Sequence, residues 1–294
     1  ETTLIFHEGI ELPHFAAFDL MRTAEGRAAL GRYFARYVAI AKRDRRGLVL
    51  ESATWRANPD WAARLGYSAE ALDGVNREAI DFLLAIRDRE ETAASPMVVS
   101  GNIGPRGDGY RPESLMSAEE AEAYHARQVR VFAAAGADLV TVMTVSYVEE
   151  GIGVARAARA AGIPAVVSFT VETDGRLRSG MALGAAIAAC DAATGGYPAY
   201  YMVNCAHPTH FRGVLAGSPW LERIGGIRAN ASKMSHDELD EAPELDAGDP
   251  DELAHDYRGL MAVLPRLRVV GGCCGTDHRH VAAISGRCGH AHAA

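Results

Sequence analysis

Seven short runs along the chain are almost continuously apolar. They are Gly47 to Glu51, Met97 to Gly101, Asp138 to Val142, Ala165 to Thr170, Tyr200 to Asn204, Ile224 to Asn230 and Leu267 to Gly271. None alternates between apolar and polar residues, so each predicts a strand buried on both faces, as in a parallel sheet. Between these runs lie Ala/Glu/Leu-rich stretches with helical spacing. Ser117-Ala118-Glu119-Glu120 is a capping-box start that predicts a helix to Ala135. The stretch from Glu149 to Ala161 predicts another, stopped by Gly162 with Pro164 beyond.

Strand, loop and helix in regular repetition predict an α/β chain, and a (β/α)8 TIM barrel needs one strand more than the seven seen. The chain starts at Glu1-Thr2-Thr3-Leu4, so the first strand is expected to be truncated or missing. A doubly wound open sheet is the alternative, weakened by the lack of a Gly-x-Gly-x-x-Gly turn after an early strand. The expected organisation is one barrel domain over residues 1–285 and a flexible Ala/His-rich tail over 286–294.

Composition narrows the function classes. The 294 residues are 48% hydrophobic and 23% charged, which is ordinary for a globular chain with a large core. A net charge of -8 argues against a nucleic-acid binder, and the basic run Lys42-Arg43-Asp44-Arg45-Arg46 is short and interrupted. No apolar stretch reaches membrane-spanning length and no signal-peptide pattern opens the chain. Five cysteines, irregularly spaced, make no disulfide framework, so a reducing cytoplasm is the expected location.

In a barrel, side chains just past the C-terminal ends of the strands share one mouth. Numbering the missing strand as the first, these are Glu51, Ser52 and Thr54 after the second, and Asn102 and Arg106 after the third. Thr144 and Tyr147 follow the fourth, and Glu172 the fifth. Asn204, Cys205 and His207 follow the sixth, Asn230 the seventh, and Cys273 and Cys274 the eighth. A lone Cys205 would read as a small buried hydrophobe. Cys273 and Cys274 lie among Gly271, Gly272 and Gly275, which let the backbone bend so that both thiols face one point. Two adjacent thiols and a distant one, all at strand ends, suggest a three-thiolate metal site with its fourth position open to a substrate. Three thiolates on Zn²⁺ carry a net charge of -1. Such a centre polarises carbonyls poorly but strips the proton from an incoming thiol and leaves it nucleophilic. Thiol alkylation suits it better than hydrolysis by metal-bound water.

The Gly271-to-Thr276 run, the Asn204-Cys205 pair and Ile103-Gly104-Pro105 together resemble the homocysteine S-methyltransferase family, over essentially the whole chain. Gly136-Ala137-Asp138-Leu139 and Ser168-Phe169-Thr170 add weaker support. The resemblance implies a (β/α)8 barrel and zinc on Cys205, Cys273 and Cys274. It also implies methyl transfer from a sulfonium or quaternary ammonium donor to the thiol of homocysteine, forming methionine. Two departures stand out. Residues 1–294 do not contain the family's Asp-Gly-Gly motif, expected at the end of the first strand. The family's Glu-Thr at the end of the fourth strand, whose glutamate holds the homocysteine amino group, is here Met143-Thr144. A methionine cannot accept an ammonium hydrogen bond. Either Glu51 or Glu172 substitutes, or the enzyme acts on a different thiol or selenol, or demethylates a small donor.

Other residues carry weaker signals. Thr144, Tyr147, Asn204 and Asn230 join Glu51 and Glu172 as candidate substrate contacts, although the asparagines could equally satisfy backbone groups at strand ends. His207 and His210 read as rim histidines at a helix start rather than further ligands. Trp55, Trp61 and Tyr147 suggest an aromatic wall for a cationic donor, with plain packing as the alternative. Cys288, His290 and His292 look like a metal cluster only on paper, Cys190 like inert core, and residues 246–251 like a solvated turn before a helix. The expected partners are a small thiol acceptor and a methyl donor, with neither nucleic acid nor membrane, and with room for a homo-oligomer. A non-catalytic zinc-storing or redox-sensing protein is the alternative of another class, disfavoured by the polar ring at the strand ends.

Overall fold

The computed structural model describes residues 1–110, 115–215, 217, 219–242 and 244–288. Seven strands, β1 (Leu48–Glu51), β2 (Met97–Ile103), β3 (Leu139–Val145), β4 (Ala165–Phe169), β5 (Tyr200–Asn204), β6 (Ile224–Ala229) and β7 (Val269–Gly272), pair in parallel in sequence order. The first of them is the second strand of the sequence reading. Ten α-helices accompany them among the described residues: α1 (Ala24–Asp44), α2 (Pro59–Arg64), α3 (Ala69–Glu90), α4 (Ala118–Ala134), α5 (Val148–Ala161), α6 (Leu183–Thr194), α7 (Pro208–Phe211), α8 (His236–Glu241), α9 (Pro250–Val263) and α10 (His278–Cys288). The curled sheet with its helices is an α/β fold of the TIM-barrel type, as the alternation of patterns predicts. The open doubly wound sheet is set aside.

The local signals act as written. Ser117 and Glu120 close both bonds of the capping box at the start of α4. Gly162 ends α5 in the left-handed conformation, φ 70°. The acidic loop ends at Asp249, whose carboxylate caps α9. Strands β2 and β3 run two and three residues further than the apolar runs, and β3 is irregular between Val142 and Val145. Helix α10 continues to Cys288, past the point where the tail was expected to begin. His290 and His292 lie outside the described residues.

The main core lies between strands and helices and includes Leu50, Val99, Phe132, Val140, Val167, Tyr201, Ile227 and Tyr257. Cys190 belongs to it, and burial pushes its thiol pKa up to about 11, which leaves it inert. Inside the curl a second set faces inward: Met143, Val166 and Met202, with Trp55 and Tyr200 against them. No ladder joins β7 to β1 among the described residues. That seam is bridged by a side chain, Arg228 of β6, which pairs with Glu51 of β1 and donates to the Gly272 carbonyl of β7 at 3.2 Å. No helix among the described residues is long and apolar enough to cross a membrane.

Candidate metal centre

The sheet brings the three cysteines together. Cys205 follows β5, and Cys273 and Cys274 follow β7, so residues 68 positions apart meet at one end of the curl. Their sulfurs lie within 4.8 Å of one another. Cys205 and Cys273 are joined as a disulfide with Cα atoms 5.4 Å apart, and Cys274 is free and exposed. Reduced, the trio offers three sulfur donors with solvent on one side. That donor set fits zinc with one position open, since thiolate ligands favour a tetrahedral site of this kind.

Backbone bonds beyond the regular ladder fix each cysteine. Cys273 donates its N–H to the Ala229 carbonyl at 2.8 Å, Ala231 donates to Cys274 at 2.9 Å, and Cys205 donates to Arg228 at 3.0 Å. The glycines act as the sequence suggests. A Cβ on Gly272 would sit 2.1 Å from Thr276 Oγ1, and Gly275, at φ 76°, has the Asp246 carbonyl 2.5 Å from where its Cβ would be. Only glycine lets the chain turn this tightly around the two thiols.

Two asparagines hold the site. Asn204 Oδ1 accepts the Thr144 N–H at 2.9 Å and the Ser168 hydroxyl at 2.6 Å. Its amide donates to Thr144 Oγ1 at 3.0 Å and to Cys205 Sγ at 3.2 Å. Thr144 and Cys205 both adopt left-handed backbone, φ 63° and 55°. Such positions cost roughly 1–3 kcal/mol each and persist only when surroundings impose them. The Asn204 carboxamide touches both. Asn230 donates to the Cys205 carbonyl at 3.0 Å and accepts the Cys274 N–H at 3.1 Å, tying two cysteine backbones through one side chain. Both asparagines therefore orient the thiols while also satisfying backbone groups.

The remaining expected residues divide. Glu51 is committed to Arg228 below the mouth, and burial lifts its carboxyl above the usual range despite that cation. Glu172 is partly exposed, with Arg178 at 3.4 Å and His236 Nδ1 at 3.5 Å. Met143 is buried in the inward apolar set. Tyr147 is buried, and its hydroxyl accepts the Met116 N–H at 3.3 Å ahead of α4. Trp55 and Trp61 stack on the Arg56 guanidinium, 4.2 and 4.0 Å from the ring centroids, so a cation already occupies those faces. Thr54 bonds the Asn102 carbonyl at 2.6 Å and Ser52 accepts the Asn102 N–H at 2.9 Å. Arg106 pairs with Asp60 at 2.8 Å. His207 caps α7, with its pKa lowered to about 4, chiefly by burial.

Two residues at the site carry no signal in the sequence. His236, at the start of α8, donates from Nε2 to the Cys205 carbonyl. Tyr110, in the loop after β2, packs on the His236 ring with centroids 4.4 Å apart, and its hydroxyl lies 3.9 Å from Cys274 Sγ.

Residues 10–288 match the homocysteine S-methyltransferase family. The chain belongs to that family. It is accordingly a methyltransferase, and its three cysteines form a group able to hold a metal ion. Among solved structures it is similar to the Escherichia coli homocysteine methyltransferase MmuM. The metallated form is 20% identical with a TM-score of 0.72, covering 97% of this chain and 93% of the other. The oxidised form is 19% identical with a TM-score of 0.76, covering 97% and 92%. At this identity the likeness speaks for the fold. No curated protein matches the chain in sequence.

Proposed function

We propose that this chain transfers a methyl group from a sulfonium or quaternary ammonium donor to the thiol of homocysteine, forming methionine, with zinc on Cys205, Cys273 and Cys274. The observation that carries the reading is the convergence of those three sulfurs at the mouth of the curl, one of them exposed. Zinc, when bound, supplies the positive charge that lowers the pKa of an acceptor thiol. The chain's own residues do the rest. Asn204 and Asn230 set the directions of the thiols, and the inward apolar set of Met143, Val166 and Met202 keeps water from beneath them. In the transfer, the acceptor sulfur forms a bond to the methyl carbon as the donor's sulfur–carbon or nitrogen–carbon bond breaks. The donor leaves neutral, and the thiol proton passes to solvent.

The family's amine-binding glutamate is absent, and the geometry favours Glu172 over Glu51 as its replacement. Glu51 is half-buried and held by Arg228 of β6. Glu172 is partly open and reaches the cysteines through His236, which holds the Cys205 carbonyl. Met143 also supports a second reading, in which a different thiol or selenol is methylated.

The test is zinc content and methylation of a thiol panel by wild type and by Cys273→Ala. The variant is expected to lose most of its bound zinc and at least 100-fold in methyl transfer, the scale of losing a group that acts as part of a catalytic unit. A variant with full metal and full activity refutes the proposal. A wild type that ignores homocysteine but methylates another thiol decides for the second reading.

A further inference from the structure

The loop after β2 is fastened across the mouth by contacts from several elements. Asn58 Nδ2 donates to the Pro105 carbonyl at 3.2 Å, and Glu150 accepts the Arg106 N–H at 2.7 Å. Arg56 and Trp61 both donate to the Gly107 carbonyl, at 2.8 and 3.2 Å. At Gly109 the loop presses on Thr144, whose Cγ2 lies 2.9 Å from where a Cβ would stand. The next residue is Tyr110. It therefore arrives over Cys274 on a stretch of chain held in place residue by residue, and its ring is seated on His236. The phenol oxygen is 3.9 Å from Cys274 Sγ.

We infer that Tyr110 is a positioning residue for the metal centre, donating its O–H to the Cys274 sulfur and restraining the one exposed thiolate of the three. This rests on the zinc reading above. A thiolate bound to a metal accepts hydrogen bonds and donates none, and a phenol with an ordinary pKa of about 10 keeps its proton at neutral pH, so the direction of the bond is fixed. The bond withdraws electron density from sulfur and holds Cys274 in one orientation. Partners of this kind typically contribute about 10- to 100-fold to metal affinity. His236 extends the same restraint to Cys205 through its carbonyl, so one pair of tilted, packed rings touches two of the three ligands.

Cobalt(II) is the probe, because its bonds to thiolate give a charge-transfer absorption that reports the energy of the sulfur lone pair. The reduced full-length protein is titrated with Co²⁺, comparing wild type, Tyr110→Phe and Cys273→Ser. Phenylalanine keeps the ring on His236 and removes only the O–H. Tyr110→Phe is expected to shift the charge-transfer band to longer wavelength, since the sulfur lone pair is no longer stabilised, and to weaken Co²⁺ binding about 10-fold or more. A packing role for Tyr110 moves neither. A wild type with no charge-transfer band, or with one that survives Cys273→Ser unchanged, overturns the metal reading and this proposal with it. A wild-type band matched in position and affinity by Tyr110→Phe overturns the role of Tyr110 alone.

Discussion

At the scale of single residues, the resemblance to the family points to position 143, where methionine stands at the place of the family's glutamate. Met143 packs with Val166 and Met202 and offers nothing to an ammonium group. If Glu172 takes over that task, Glu172→Gln keeps the shape and removes the charge. The KM for homocysteine is then expected to rise about 10-fold or more, corresponding to the roughly 1.5–3 kcal/mol of a hydrogen bond to a charged group. The KM for the same thiol lacking its amino group is expected to stay put. Steady-state kinetics with the two acceptors provides the check, and equal effects on both would remove Glu172 from amine recognition. The cysteines were legible in the sequence because glycines crowd Cys273 and Cys274 and because each thiol directly follows an apolar run. Tyr110 and His236 were not, since they reach the site from loops whose path no periodicity encodes. Adjacency in the sequence also does not show that the Arg56 guanidinium lies over both the Trp55 and Trp61 rings.

At the scale of elements, strands and helices follow the apolar patterning closely, and what the patterning omits is the loop after β2. Its anchor is Glu150 of α5, fully buried, whose carboxylate takes the Arg106 N–H and faces His125 Nε2 at 3.0 Å. Glu150→Ala leaves buried His125 without its partner and the Arg106 N–H without its acceptor. The expected loss is about 3 kcal/mol or more, the scale of breaking a buried polar pair from one side. Glu150→Gln retains a carbonyl oxygen for Arg106 and should lose less than half as much. Denaturant unfolding of the two variants measures this, and equal losses would show that the charge matters rather than the acceptor. The same loop carries Tyr110, so Glu150→Ala links a helix on the outside of the curl to the thiols at its mouth. Glu150 had no sequence signal beyond its place in the first turn of a helix, where an exposed acid complementing the helix dipole is the ordinary expectation.

At the scale of the whole molecule, polar contacts line the interval between β7 and β1. The apolar runs predicted the seven strands but not the contacts between β7 and β1 among the described residues, because those are made by polar side chains and turns. Besides Arg228 and Glu51, the N-terminal segment contributes Thr2, which accepts the Gly275 N–H at 3.2 Å, and His7, which lies 3.4 Å from Asp277. Asp277, buried just before α10, also accepts the Arg279 N–H at 2.8 Å and faces His280 Nδ1 at 3.2 Å. Burial alone would raise its pKa, but the hydrogen bonds from Arg279 and His280 hold the carboxyl well below the usual carboxylate range. The unfolded chain therefore takes up this proton at a higher pH than the folded one. Stability from Asp277 is present above the unfolded pKa of about 3.9 and is lost as pH falls through that value toward the lower folded one. Asp277→Asn is expected to lower stability at pH 7 by about 1.5–3 kcal/mol, the scale of hydrogen bonds to a charged group. It should also flatten the decline that the wild type shows between about pH 5 and pH 2. Urea unfolding of both proteins at pH 7, 5 and 3 separates the outcomes. If the two curves run parallel across that range, Asp277 is not the group whose titration opens the seam.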